Sequence, residues 1–180
     1  KSEEQIEEEI PQTAENVITF INVGRHDEKQ KQLSKLITVA EKLKKEGKQF
    51  RILFVGEGQD TNIYKKMVEE KKLEDTIIFL GKKKNPYPYY KKSDCVVLTS
   101  DYEGYPVVFI ESMILEKPII TTNVSDYKTV EGKFGKVTKK DINSIYEEMK
   151  NFIENGFELK EKFDYKKYNE EIMQKLEKIF

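Results

Sequence analysis

Residues 94–122, DCVVLTSDYEGYPVVFIESMILEKPIITT, decide the fold. Two short, nearly continuous apolar runs, Asp94–Thr99 and Pro118–Thr122, flank a helical pattern at Val107–Glu116. Apolar runs without alternation suit strands buried on both faces. A strand, a helix and a second strand of that kind form a parallel pair joined by a right-handed crossover. The same alternation runs upstream: strand patterns at Val17–Val23, Arg51–Val55 and Thr76–Leu80 are separated by helical patterns at Gln32–Glu46, Thr61–Lys72 and Pro86–Lys92. The expected class is therefore α/β, a parallel sheet flanked by helices. Beyond Thr122 the signal weakens. Helices are expected at Asp141–Glu154 and Tyr165–Phe180, the second with Tyr168, Ile172, Leu176 and Phe180 at intervals of four, a stripe read as core packing.

With 180 residues, 37% of them hydrophobic, the chain can bury the core of one domain. Its 32 basic residues nearly balance 33 acidic ones, so no global field draws it to nucleic acid or acidic lipid. The basic and aromatic stretch KKKNPYPYYKK, residues 82–92, reads as a short helix with inward tyrosines rather than a nucleic-acid platform. Cys95 is the single cysteine, which fits a reducing compartment and a buried, inert thiol. No apolar stretch approaches the roughly 20 residues that span a bilayer. The chain opens on Lys1 and an acidic run, KSEEQIEEE, so residues 1–15 are expected to be a linker or exposed segment of a longer protein.

In open parallel sheets ligands bind beyond the carboxyl ends of the strands. The loops there are Gly24–Asp27, Gly56–Gln59, Gly81–Lys83, Ser100–Pro106 and Asn123–Ser125. Arg25 follows the first strand, and Lys31, with Lys29 as its rival, opens the next helix; two such cations would balance a diphosphate. VGEGQD lacks the third glycine of a dinucleotide fingerprint, and no P-loop motif occurs. One histidine, His26, one cysteine and no nucleophile elbow leave little room for nucleophilic triads, and no metal site is expected.

Two glutamates stand out. Glu103 lies in a Gly/Pro turn, and Glu111 lies within an otherwise almost wholly apolar helix, where burial would cost several kcal/mol unless a polar partner such as a polyhydroxylated ligand met it. Pro106 fits the first helical position, so the amides of Val107 and Val108 should present the positive end of the helix dipole to an anion.

FINVGRHDEKQK, ILFVGEGQD, IIFLGKKKN, SDCVVLTSDYEGYPVVFIESM and KPIITTNVS, in this order, resemble the C-terminal, nucleotide-sugar-binding half of a group-1 retaining glycosyltransferase of the GT-B fold, over about residues 16–180. The most specific element is Glu103 and Glu111 separated by seven residues. The resemblance implies a Rossmann-like domain that binds a UDP- or GDP-type sugar with no cofactor or metal. It implies that Arg25 and Lys31 meet the diphosphate, Glu111 the ribose hydroxyls and Glu103 the transferred sugar. Gly24, Gly56, Gly58 and Gly81 would make room for the nucleotide, with Gly81 bordering the base. Gly104, Tyr105, Pro106, Val107 and Val108 would line the sugar and phosphate. The lysine spacing after Arg25 is one residue longer than in many members, which keeps Lys29 open, and Glu116-Lys117 replaces the usual small residue and glycine. The resemblance also implies a cytoplasmic enzyme of polysaccharide or glycolipid assembly, reaching a glycan or lipid-linked acceptor, and the inner membrane face, through an N-terminal domain outside this chain. A fragment of this kind should bind donor but transfer sugar poorly. The alternatives are a sugar-nucleotide epimerase of the same fold and a non-enzymatic doubly wound binding module.

Overall fold

The β-branched and apolar runs form strands to within a residue of their expected bounds: β1 (Ile18–Val23), β2 (Phe50–Val55), β3 (Ile77–Gly81), β4 (Cys95–Leu98) and β5 (Ile119–Thr122). They are seen in a computed structural model that describes residues 10, 16–104 and 106–177. A further strand, β6 (Gly135–Thr138), is invisible in the apolar pattern because GKVT carries one apolar side chain beyond its glycine. Glycine is needed there, since a Cβ on Gly135 would stand 1.8 Å from the Ile119 carbonyl oxygen. All pairings are parallel, in the order β3-β2-β1-β4-β5-β6.

The helices are α1 (Glu28–Lys31), α2 (Leu33–Lys45), α3 (Thr61–Glu70), α4 (Tyr87–Lys91), α5 (Val107–Ile114), α6 (Ile142–Asn155) and α7 (Tyr165–Glu177). A single turn with no buried residue, α1 offers no period to read. Gln32 closes it in the left-handed region, φ 52°, before α2 begins. The start of α6 is capped by Asp141, whose carboxylate accepts from the Ser144 amide at 2.8 Å.

Successive side chains of a strand point to opposite faces, and the core divides accordingly. Phe20, Ile52, Phe54 and Val97 meet α2, α3 and α6 on one face. Ile21, Leu53, Val96 and Leu98 meet Tyr89 and Tyr90 of α4 and Phe109 and Met113 of α5 on the other. Each fully buried Leu, Ile or Phe contributes about 2 kcal/mol of transfer free energy to this two-faced core. Ile10 is buried in the second cluster, where an exposed or linking segment was expected; residues 1–9 and 11–15 lie outside the described set. Of the expected α7 stripe, Tyr168 is half-buried against Phe163, while Phe180 and the side chains of Ile172 and Leu176 are outside the described residues.

Strand order reverses between β1 and β4, and an open α/β sheet has its natural crevice at that reversal. Asn22 secures the junction from inside: its buried side-chain amide donates to the Val97 carbonyl at 2.8 Å.

Candidate functional site

Beyond β1 the chain runs through Gly24–Asp27 into α1; beyond β4 it runs through Thr99–Pro106 into α5. These two loops are fastened together. The Thr99 hydroxyl lies 3.0 and 3.1 Å from the carbonyls of Lys31 and Gln32, the Asp101 amide donates to Gln30 at 2.9 Å, and Lys35 pairs with Asp101 at 2.6 Å. From the β5 side, Thr122 donates to the Ser100 carbonyl at 2.6 Å, and Ser125 Oγ lies 2.7 and 2.9 Å from the carbonyls of Glu103 and Gly104.

That frame holds Glu103. Its Oε1 accepts from Lys31 Nζ at 2.5 Å and from Ser100 Oγ at 2.7 Å, and Oε2 lies 3.3 Å from Gln30 Nε2. The Glu103 side chain is 7% exposed and that of Lys31 18%, so the pair is far less screened than a surface ion pair. Lys29 is exposed; of the two rival lysines, Lys31 is the one turned inward, its stem passing over Gly24. Gln30 and Ser100 carry no sequence signal as partners of Glu103, because nothing in the chain order predicts that α1 crosses the β4 loop.

Gly24 also lines a cleft of about 310 Å³, together with Val23, Arg25, Val55, Gly56, Glu57, Lys82, Lys83 and Pro86. It sits at the low end of the range for small-molecule sites. Arg25 is 68% exposed and paired with Asp27 at 3.2 Å. Lys82 and Lys83 add positive charge to the wall after β3, and a Gly-Lys-Lys run directly after a strand is the signal that could have placed them.

Gly56 and Gly58 do not simply make room for a ligand. A Cβ on Gly56 would lie 1.8 Å from the Gly24 carbonyl oxygen, and one on Gly58 would lie 2.2 Å from that of His26. The missing side chains let the loops after β1 and β2 touch, through Gly24 N to Val55 O at 3.0 Å and His26 N to Glu57 O at 3.2 Å. Gly81, at φ +69°, turns the chain so that its neighbours Lys82 and Lys83, rather than Gly81, line the cleft.

His26 is buried, edge-on to Phe54, Tyr64 and Phe79, with Nδ1 2.8 Å from Thr61 Oγ1 and Nε2 without a partner. Burial lowers its pKa below the ordinary 6.5, against a smaller opposing pull from Glu57. The unfolded chain then binds the proton more readily than the folded one below about pH 6.5, so this contribution is present above that pH and is lost as pH falls from there toward the depressed folded value. Urea titrations at pH 7.5 and pH 5.5 should show the chain weaken with acid, and His26→Asn should flatten that difference. An unchanged slope in the variant would assign the acid sensitivity elsewhere.

Glu111 is half-buried rather than enclosed. Phe109, Ser112 and Met113 turn into the core, while Val107, Glu111 and Ile114 form the opposite stripe, Val107 being 56% and Ile114 50% exposed. Its Oε2 accepts from the Tyr90 hydroxyl at 2.8 Å. Burial, followed by the charge of Glu111, pushes the Tyr90 phenol well above its usual range, so it is the donor. A protein hydroxyl thus already meets part of the desolvation that the sequence assigns to a ligand. Pro106 is the N-cap of α5 rather than its first helical residue, and no side chain caps the start at Val107 and Val108. Gly104 is exposed with open space at its Cβ position, and Tyr105 lies outside the described residues. Cys95 is fully buried in β4, and burial raises its thiol pKa. No helix among the described residues is long and apolar enough to cross a membrane.

Residues 3–170 match the family model described as glycosyl transferases group 1. The chain is 29% identical over 122 residues, 68% of its length, to an uncharacterized glycosyltransferase of Methanocaldococcus jannaschii. It is 28% identical over 142 residues, 75% of its length, to N-acetylgalactosamine-N,N'-diacetylbacillosaminyl-diphospho-undecaprenol 4-alpha-N-acetylgalactosaminyltransferase of Campylobacter jejuni. It spans only 30% and 37% of those two relatives. Among solved structures, 81% of the chain superposes on 30% of Staphylococcus aureus TarM, in complex with Fondaparinux, alpha-GlcNAc-glycerol and UDP, with a TM-score of 0.72 and 25% identity. The sheet order, the two flanking helical layers and a family match across nearly the whole chain agree, and the chain belongs to the group 1 glycosyl transferases.

Proposed function

We propose that this chain is the donor-binding half of a retaining, metal-independent glycosyltransferase, holding a nucleoside-diphosphate sugar across the tips of β1 and β4. The observation that carries the reading is the inward Lys31–Glu103 pair at the strand-order reversal, next to a cationic cleft that shares Gly24 with it. The base lies in the cleft by Pro86, Lys82 and Lys83, the ribose leaves it toward Glu111, and the diphosphate passes over Gly24 between Arg25 and Lys31. Glu111 takes ribose hydroxyls, and Glu103 faces the sugar. When the bond from the sugar's anomeric carbon to the phosphate oxygen breaks, its electron pair leaves on the diphosphate. Arg25, Lys31 and the uncapped start of α5 meet that charge.

The relatives support the reading through what they do. The Campylobacter enzyme's name describes α-linked sugar transfer to a diphospho-undecaprenol acceptor, and the Staphylococcus structure contains UDP. A UDP- or GDP-type donor and a glycan or lipid-linked acceptor follow for this chain as parts of the proposal. So does placement of acceptor recognition on a preceding domain, which leaves this half able to bind donor but slow to transfer.

Calorimetric titration with UDP, GDP and ADP tests the site. One nucleotide should bind with a Kd of about 10–100 μM, and Arg25→Ala should weaken it roughly tenfold, the scale of one charge-assisted hydrogen bond. Binding no tighter than about millimolar for every nucleotide, or an Arg25→Ala and a Glu111→Gln variant that both match the parent, sinks the assignment.

A further inference from the structure

We infer that Tyr90 is a positioning residue for Glu111, fixing the carboxylate so that the site distinguishes ribonucleotides from 2′-deoxyribonucleotides. The inference rests on the donor reading above and adds a residue to it. Tyr90 is fully buried in the core between α4 and the sheet, and its hydroxyl reaches Glu111 Oε2 at 2.8 Å across 21 positions of sequence. Its backbone is equally fixed, with its amide bonded to the Pro86 carbonyl at 3.2 Å and its carbonyl accepting from Ser93 at 3.0 Å.

Glu111 by itself has no such constraint. It shares a stripe with half-exposed Val107 and Ile114, where a glutamate with three rotatable bonds would sample several rotamers and lose that freedom on gripping a ligand. An ionised carboxylate offers about four acceptor sites, and Tyr90 fills one of them. The rest of the group is then held in a single orientation, suited to accepting from vicinal ribose hydroxyls that enter beside Pro86. This is preorganisation: the ring ordered during folding removes an ordering cost from binding. The segment Pro86–Lys92 reads in sequence as core packing, and Tyr90 does both.

The test compares UDP, GDP and ADP with their 2′-deoxy counterparts on the 180-residue chain, its Tyr90→Phe and Tyr90→Met variants, and Glu111→Gln. The parent should prefer the ribo form of its best nucleotide by about tenfold, the value of a hydrogen bond to a charged group. Tyr90→Phe should lose most of that preference while weakening the 2′-deoxy form, which keeps only the 3′-hydroxyl, much less than the ribo form, a pattern that a general loss of stability does not produce. Tyr90→Met, which also lacks the hydroxyl, covers the case in which Tyr90→Phe does not fold. A parental ribo-to-deoxy ratio retained in the hydroxyl-free variants overturns the inference, as does a parent that binds ribo and deoxy forms alike. A parent that binds no nucleotide overturns the donor reading itself.

Discussion

Gly56→Ala is expected to destabilise the chain by about 4 kcal/mol or more, the largest effect of any substitution considered for this fold. The added Cβ would stand 1.8 Å from the Gly24 carbonyl oxygen, at a φ of +142° that L residues rarely adopt. Neither strain can be relieved alone. Moving the loop after β1 away breaks the 3.0 Å bond from Gly24 N to Val55 O and the 3.2 Å bond from His26 N to Glu57 O. Moving the loop after β2 breaks the 3.0 Å bond from Gly56 N to Gly81 O. Against a total stability of about 5–15 kcal/mol, the variant should melt roughly 10 °C below the parent or fail to accumulate folded. Gly104→Ala is the control. Among the described residues beyond its chain neighbours, nothing lies within 4 Å of its Cβ position, so it should melt with the parent. Equal melting temperatures for Gly56→Ala and the parent would contradict the close contact of the two loops.

Lys31→Met should have the next largest effect, and in two currencies. Nucleotide affinity should fall about tenfold to a hundredfold, because on the proposed donor reading the partly buried Lys31 ammonium also meets the diphosphate and supplies one to two charge-assisted hydrogen bonds. Stability should also fall by about 2–3 kcal/mol, since Glu103, 7% exposed, would keep Ser100 and Gln30 as its side-chain partners among the described residues for a buried charge. The double variant Lys31→Met with Glu103→Gln separates these effects. A neutral amide can be held by Ser100 and Gln30 without a counter-charge, so much of the stability should return while the affinity does not. Chemical denaturation and nucleotide titration of the two variants decide the matter. Restored affinity in the double variant, or unchanged affinity in the single one, would make the pair a structural brace only.

Strand and helix positions were legible because both faces of the sheet are covered, which leaves long apolar runs without alternation between glycine-marked loops. β6 and α1 were not, for opposite reasons. GKVT depends on its glycine to approach β5, and EKQK is one polar turn that contributes nothing to the core. At the site, the glutamate spacing and the Gly-Arg step after β1 pointed to the two loops that the Lys31–Glu103 pair joins. Their partners did not show, since Tyr90 is 21 residues from Glu111 and Lys31 is 72 from Glu103. The burial argument for Glu111 also assigned to a ligand what a tyrosine partly supplies. Periodicity places a residue on a face of its own helix, and it says nothing about which neighbour crosses over.

Because the loops after β1 and β4 are stitched by Thr99, Asp101, Lys35 and the Lys31–Glu103 pair, the grip is assembled from segments about seventy positions apart along the chain. Closing so long an excursion is entropically unfavourable until β1 and β4 have paired and the intervening two-strand excursion has folded back. On the donor reading proposed above, nucleotide binding is therefore expected late in maturation: a nascent chain that has already collapsed with much of its helix content should not yet hold a nucleotide, and acquiring that ability would mark completion of the central strand junction.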